Sequence, residues 1–168
     1  MGKFENIVEV KKMSFKIIVQ LGLASILFIL STGATWYEGS AIIESPWEWK
    51  HTAIFSEIVN GQVNNASDIL PIDHFVYAAK FLPVFPLLML LSGTYFIILI
   101  GYMLLKRNYK MFSYFLACIG ILSLVLSGFV SNSPTSGLKI ISNSFLFIGI
   151  LLLAITLVRL VTNRTKKV

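Results

Sequence analysis

The chain has 168 residues, of which 56% are hydrophobic and only 13% charged, well below the roughly 25% of a soluble domain. Its formal charge of +6 comes from lysines and arginines that flank apolar runs and do not gather on one surface, a placement that argues against nucleic-acid binding and for membrane orientation. The single cysteine, Cys118, lies inside an apolar run, which excludes an intramolecular disulfide, dithiol oxidoreductase chemistry and the stapled outer loop of claudin-type four-helix proteins.

The first apolar run, residues 17–37, follows Lys3, Lys11, Lys12 and Lys16 and is long enough to cross a bilayer. A cleaved signal peptide is the rival reading, because the small residues Ser31, Thr32, Gly33 and Ala34 follow the apolar stretch. The aromatic pair Trp36 and Tyr37, suited to a membrane interface, favours a retained span. Residues 38–80 form the one sizeable polar segment, with six acidic residues against two lysines. Within it, Ser45 as N-cap, Pro46 at the first position, Glu48 at the third and Asn60-Gly61 at the end predict a helix over 46–59. On a helical wheel Trp47, His51, Ile54, Phe55 and Ile58 fall on one side and Trp49, Lys50, Ser56, Glu57 and Asn60 on the other. Such a helix lies along the membrane interface or caps the bundle. Residues 62–71 read as loop, and Asp73 as the cap of a short helix over 73–80 with an apolar side of Phe75, Val76 and Ala79.

Three further apolar runs, 83–105, 111–130 and 140–161, are each near the ~20 residues a helix needs to span hydrocarbon. The links at 106–110 and 131–139 are short, so these runs form antiparallel hairpins. Pro83 and Pro86 stand at a helix entry, where a missing backbone donor costs least. The third run carries Ser113, Ala117, Gly120, Ser127 and Gly128 along one side, which predicts the most buried helix of the four, packed through its small face. The same stripe is compatible with self-association.

Orientation follows from the basic residues. Lys3, Lys11, Lys12, Lys16, Lys106, Arg107, Lys110, Arg159, Arg164, Lys166 and Lys167 fall on one side of a four-span topology, leaving Lys50, Lys80 and Lys139 on the other. The richer side, with both termini and the loop 106–110, is predicted to be cytoplasmic.

The histidines, His51 and His74, both lie in the acidic segment, but no pair stands at i, i+4, and His51 falls on the apolar side of its helix. A buried or interfacial imidazole is therefore favoured over a metal ligand. No histidine lies within a run to hold a haem, and no cofactor is implied. The spans lack Asp, Glu and Lys, Arg159 is close enough to an end to snorkel, and Gln20, Ser92, Thr94, Ser123, Ser127 and Asn143 suit interhelical hydrogen bonds better than proton-coupled transport. Serines outside the spans have no nucleophile motif around them. Asn65-Ala66-Ser67 matches a glycosylation acceptor, informative only in a eukaryotic secretory pathway.

The runs Trp36-Tyr37-Glu38-Gly39-Ser40, Pro46-Trp47-Glu48-Trp49-Lys50 and Tyr77-Ala78-Ala79-Lys80-Phe81, with Pro83 and Pro86, resemble the YjdJ-type family of small bacterial membrane proteins. The resemblance covers the first two spans and the segment between them. It implies a bacterial plasma membrane and the same topology, and it supplies neither an activity nor site residues.

The sequence thus predicts an all-α integral membrane four-helix bundle, residues 1–168 forming one membrane domain, with a short amphipathic helical cap in the first outer loop and a cytoplasmic tail at 162–168. The expected function is that of a non-enzymatic interaction or accessory protein of the cell envelope. Its partners are the lipid bilayer and a membrane or envelope protein, homo-oligomerisation is compatible with the sequence, and nucleic acid is excluded. Alternatives are an oligomeric small-solute channel or transporter and an outward-facing membrane enzyme. The candidate interaction surface is Trp47, Trp49, Lys50 and Glu57, the two indoles facing opposite ways so that one anchors while the other stays free. For topology, a Cys118→Ala background carrying Asn64→Cys is expected to be labelled by an impermeant maleimide on intact cells, and one carrying Asn108→Cys to be spared. The reverse pattern inverts the orientation.

Overall fold

The computed structural model describes the backbone of residues 2–165 and the side chains of residues 15–162. The basic side chains of Lys3, Lys11, Lys12, Arg164, Lys166 and Lys167 lie outside that range, as does the end of the 162–168 tail. Among the described residues the chain is all-α: α1 (Gly2–Gly39), α2 (Pro46–Thr52), α3 (Ile54–Asn60), α4 (Pro71–Phe81), α5 (Val84–Leu105), α6 (Tyr109–Ser131) and α7 (Ser136–Thr165). Two short 3-10 turns, Ser40–Glu44 and Ala66–Asp68, complete the path. Four stretches are long and apolar enough to cross a membrane: Phe15–Glu44, Val84–Leu105, Tyr109–Ser131 and Ser136–Thr162. The elements α2 to α4 lie between the first two and form a cap over one end of the bundle.

Local chemistry accounts for the ends of these helices. Pro83 is the N-cap of α5 and Pro86 falls in its first turn, where no intrahelical acceptor is lost. The Asn108 side chain accepts a hydrogen bond from the Met111 N–H at 3.3 Å and so starts α6. Gly61, at φ 76°, closes α3 in a conformation that a side chain disfavours.

The bundle consists of two intimate pairs, α1 with α5 and α6 with α7, which meet more lightly through α5. In the first pair Phe28 packs where a Cβ on Gly93 would stand. The second pair has a seam of small residues at seven-residue steps: Ser113, Gly120 and Ser127 on α6 oppose Thr156, Gly149 and Ser142 on α7. Ser127 Oγ donates to the Ser142 carbonyl at 2.9 Å and Ser142 Oγ to the Ser127 carbonyl at 3.0 Å. A Cβ on Gly149 would stand 2.9 Å from the Gly120 carbonyl oxygen, and the Thr156 hydroxyl reaches the Ser113 carbonyl at 3.4 Å. A heptad step keeps one stripe facing its neighbour along the whole contact, and small side chains let the two backbones approach closely.

α6 is the most buried of the four long helices, as its small stripe predicts, although Gly128 at the end of that stripe is exposed with open space around it. The expectation of general interhelical hydrogen bonding is corrected. Ser92 and Ser123 bond the Leu88 and Ile119 carbonyls of their own helices, and Gln20 and Asn143 are exposed. A hydroxyl in an apolar setting finds its own i−4 carbonyl without requiring a neighbour, whereas Ser127, Ser142 and Thr156 on the seam reach across to the facing helix.

The start of α7 is held against the cap: a Cβ on Gly137 would collide with the Ala79 and Lys80 carbonyls. Gly137→Ala and Gly149→Ala are each expected to cost about 1–3 kcal/mol by overpacking. Gly22→Ala and Gly128→Ala, both in open helical positions, should leave stability unchanged or raised by ~0.5–1 kcal/mol. Thermal unfolding of the four variants in detergent checks the ranking.

Candidate functional site

The cap is organised by one face of α4. Asp73, Tyr77 and Lys80 follow at steps of four and three, which stacks them on the same side of a helix. The Asp73 carboxylate is fully buried and accepts three hydrogen bonds, from the Phe55 N–H at 3.0 Å, the Ser56 N–H at 2.8 Å and the Ser56 hydroxyl at 2.5 Å. Ser56 Oγ in turn accepts the Leu70 N–H at 2.7 Å. Two turns further along, Lys80 Nζ donates to the His51 carbonyl at 2.5 Å and to the Thr52 hydroxyl at 2.8 Å, and that hydroxyl donates to the Glu48 carboxylate at 3.2 Å. α4 therefore supplies an acceptor for the free N–H groups opening α3 and a donor for the carbonyl end of α2.

This arrangement corrects the single helix expected over 46–59. The chain breaks at Ala53, which is fully buried with φ −81° and ψ 51°, and the two halves carry their own ends. Asp73 does not cap its own helix, since α4 begins with Pro71 after an uncapped Leu70. Ser45 makes no capping hydrogen bond at α2; its hydroxyl lies 3.5 Å from the Tyr77 hydroxyl.

Within the chain it is the small residues of the two halves that are buried. Thr52, Ala53 and Ser56 face inward, whereas Ile54, Phe55, Ile58 and His51 are exposed. Of the two indoles, Trp47 on the apolar side of the wheel is 73% exposed within the chain, and Trp49 is the one that turns in, its Nε1 donating to the Ile42 carbonyl at 2.7 Å. The apolar set of the wheel, Trp47, His51, Ile54, Phe55 and Ile58, stays together across the break but is turned away from the rest of the chain, as a helix lying along an interface requires. The polar hooks on α4 also select small residues that admit close backbone approach.

Of the four candidate surface residues the structure brings three together. Trp49, Lys50 and Glu57, with Pro46, Gln62, Val63 and Asn64, line an open crevice of about 390 Å³. Trp47 is not part of it. The far wall is stiffened by Asp68, whose carboxylate accepts the N–H groups of Asn64 at 3.1 Å and Asn65 at 3.0 Å, while the Asn60 amide donates to the Asp68 carbonyl at 2.7 Å. Lys50 and Glu57 are exposed, so the crevice presents both signs of charge beside an indole. Residue types alone did not reveal the staple from Asp73 and Lys80. Two opposite charges seven residues apart in an otherwise apolar helix were the available signal.

On the side of α4 that meets α1, His74 is buried and stacks on Trp36 at 6.1 Å between centroids and 19° between planes. Its backbone closes on Gly39, where any Cβ would collide with the His74 carbonyl. Burial lowers the His74 pKa below its ordinary value, opposed in part by the Asp73 charge and a backbone hydrogen bond at Trp36. Burial likewise lowers that of Lys80, opposed by the Glu48 charge. Among the described residues no three of His, Cys, Asp and Glu cluster as a metal site.

The fold and cap define a class: an all-α protein with four helices long and apolar enough to cross a membrane, and a folded helical segment between the first two. Residues 18–105, from α1 through α5, match the family described as Domain of unknown function (DUF4306), and the chain belongs to that family. It is also 35% identical over 81 residues to the uncharacterized protein YjdJ of Bacillus subtilis (strain 168), a match covering 47% of this chain and 74% of the relative. No solved structure matches the chain. The α6–α7 hairpin lies beyond the residues matched by the family.

Asp73→Asn is expected to loosen the cap by about 1.5–3 kcal/mol, the range for hydrogen bonds to a charged group, read as faster proteolysis within residues 62–67 with the α6–α7 pair unaffected. The depressed pKa of His74 also has a sign. The unfolded cap takes up a proton first as pH falls through about 6.5, so stability is full above that value and declines below it. His74→Gln should flatten the change in thermal midpoint between pH 7.5 and 5.5.

Proposed function

We propose that the protein is a multi-pass protein of the bacterial plasma membrane, with both termini cytoplasmic and residues 38–80 outside, and that it acts without catalysis as an interaction or accessory protein of the cell envelope. The observation that carries this reading is the crevice at Trp49, Lys50 and Glu57. It offers an indole and both signs of charge on a cap whose own polar groups are largely occupied internally. A rigid cap presents such groups with little ordering to be lost on association, and an aromatic beside charges is the composition of interface hot spots. Four long apolar helices and the distribution of basic residues support the membrane placement and its direction.

Recognition at the crevice is tested by a photo-crosslinking side chain at Gln62, on its rim, in native membranes. Discrete protein adducts are expected, reduced about tenfold or more by the combined Lys50→Glu and Glu57→Lys change. Adducts of unchanged yield in the charge-swapped protein, or adducts to lipid alone, remove the crevice from the function.

A further inference from the structure

A second, larger cleft lies on the other side of the cap, between α3 and α4 and the ends of α6 and α7. It encloses about 740 Å³, within the roughly 300–1,000 Å³ typical of small-molecule sites. Its walls are mainly apolar: Phe55 and Val76 from the cap face Phe129, Val130 and Leu138 from the hairpin. Lys80 and His51 are among the lining residues, and Asn132 and Ser133 lie at the hairpin turn.

The position of this cleft says what reaches it. α4 runs into α5 within three residues of Phe81, Gly137 at the start of α7 rests on the Lys80 carbonyl, and Phe129 and Val130 belong to the last turn of α6. The cleft therefore stands where the long apolar helices end, at the level of the lipid headgroups on the cap side of a bilayer. Phe55 and Phe129, 42% and 81% exposed within the chain, leave an apolar surface that acyl chains cover better than water does.

Lys80 sets the polarity of the occupant. Its ammonium makes two hydrogen bonds, to the His51 carbonyl and the Thr52 hydroxyl, which leaves one of its three N–H donors. Among the described residues it has no ion pair, and Glu48 acts on it only from beyond contact distance. A half-buried ammonium beside an apolar wall is complementary to an amphiphile with an anionic head, and a zwitterionic head would bring its own cation towards the lysine.

We propose that the cleft between the cap and the α6–α7 hairpin is a binding site for one anionic membrane lipid, its acyl chain lying against Val76, Phe129 and Leu138 and its phosphate meeting the Lys80 ammonium. The site is separate from the crevice at Trp49, and it joins the family-matched part of the chain to the hairpin beyond it. Lipid bound there would fix the cap against α6 and α7 at the membrane surface.

The full-length protein in mild detergent, offered phosphatidylglycerol or phosphatidylcholine with identical acyl chains and examined by native mass spectrometry, tests this. The wild type is expected to retain phosphatidylglycerol about fivefold more firmly, the preference that one lysine near an anionic lipid confers. Lys80→Gln should abolish the preference. Val76→Trp, which fills the cleft and leaves Lys80 and its hydrogen bonds in place, should reduce retention of phosphatidylglycerol to that of phosphatidylcholine on the wild type or below. Equal retention of both lipids by the wild type, or undiminished phosphatidylglycerol on Val76→Trp, overturns the proposal.

Discussion

The cap depends on one device: two opposite charges on a single face of α4, Asp73 and Lys80, that close the facing ends of α2 and α3. A helix end exposes N–H or C=O groups without intrahelical partners, and a break in the middle of a helix exposes both kinds together. One α-helix satisfies both because seven residues return a side chain to the same face about two turns along. Ala53 is buried at the break, Trp49 turns in to the Ile42 carbonyl, and Lys50 and Glu57 are left on the rim of a crevice. The arrangement of the candidate site follows from the staple more than from any residue within the site.

The bundle below solves a different problem. In a bilayer, apolar helices would gain little by burying side chains, and close contact would have to come from shape and from hydrogen bonds that leave no polar group unsatisfied. The seam of α6 and α7 uses both means, with Gly120 against Gly149 and the reciprocal pair Ser127 and Ser142. The α1–α5 pair has a looser version in Phe28 over Gly93. Gly137 then links the second pair to the cap through backbone contact with Lys80, so the residue that staples α2 also marks the junction with α7.

The candidate site was legible in part. Trp49, Lys50 and Glu57 follow from an acidic, aromatic segment with helix signals, and the structure sets them around one crevice. Trp47 followed from the same wheel but is exposed, because within α2 the indole nitrogen of Trp49 finds the Ile42 carbonyl and turns that side of the helix inward. Ser45, Pro46 and Glu48 carried a complete set of local start signals, yet the serine hydroxyl lies beside Tyr77, 32 residues away in the chain. Capping signals describe what a side chain does in the absence of competitors, and a folded neighbour is such a competitor.

The sequence by itself determined the all-α class, the four long apolar helices and the small-residue face of α6, since each rests on composition and period within one segment. Tertiary structure alone decided that Asp73 and Lys80 serve helices other than their own, that the cap breaks at Ala53, and that small residues are buried there while large apolar ones remain outside. The division has a physical cause. Hydrophobic periodicity is a local property that survives in any packing arrangement, whereas the partner of a buried charge depends on which backbone ends the rest of the chain brings within about 3 Å of it.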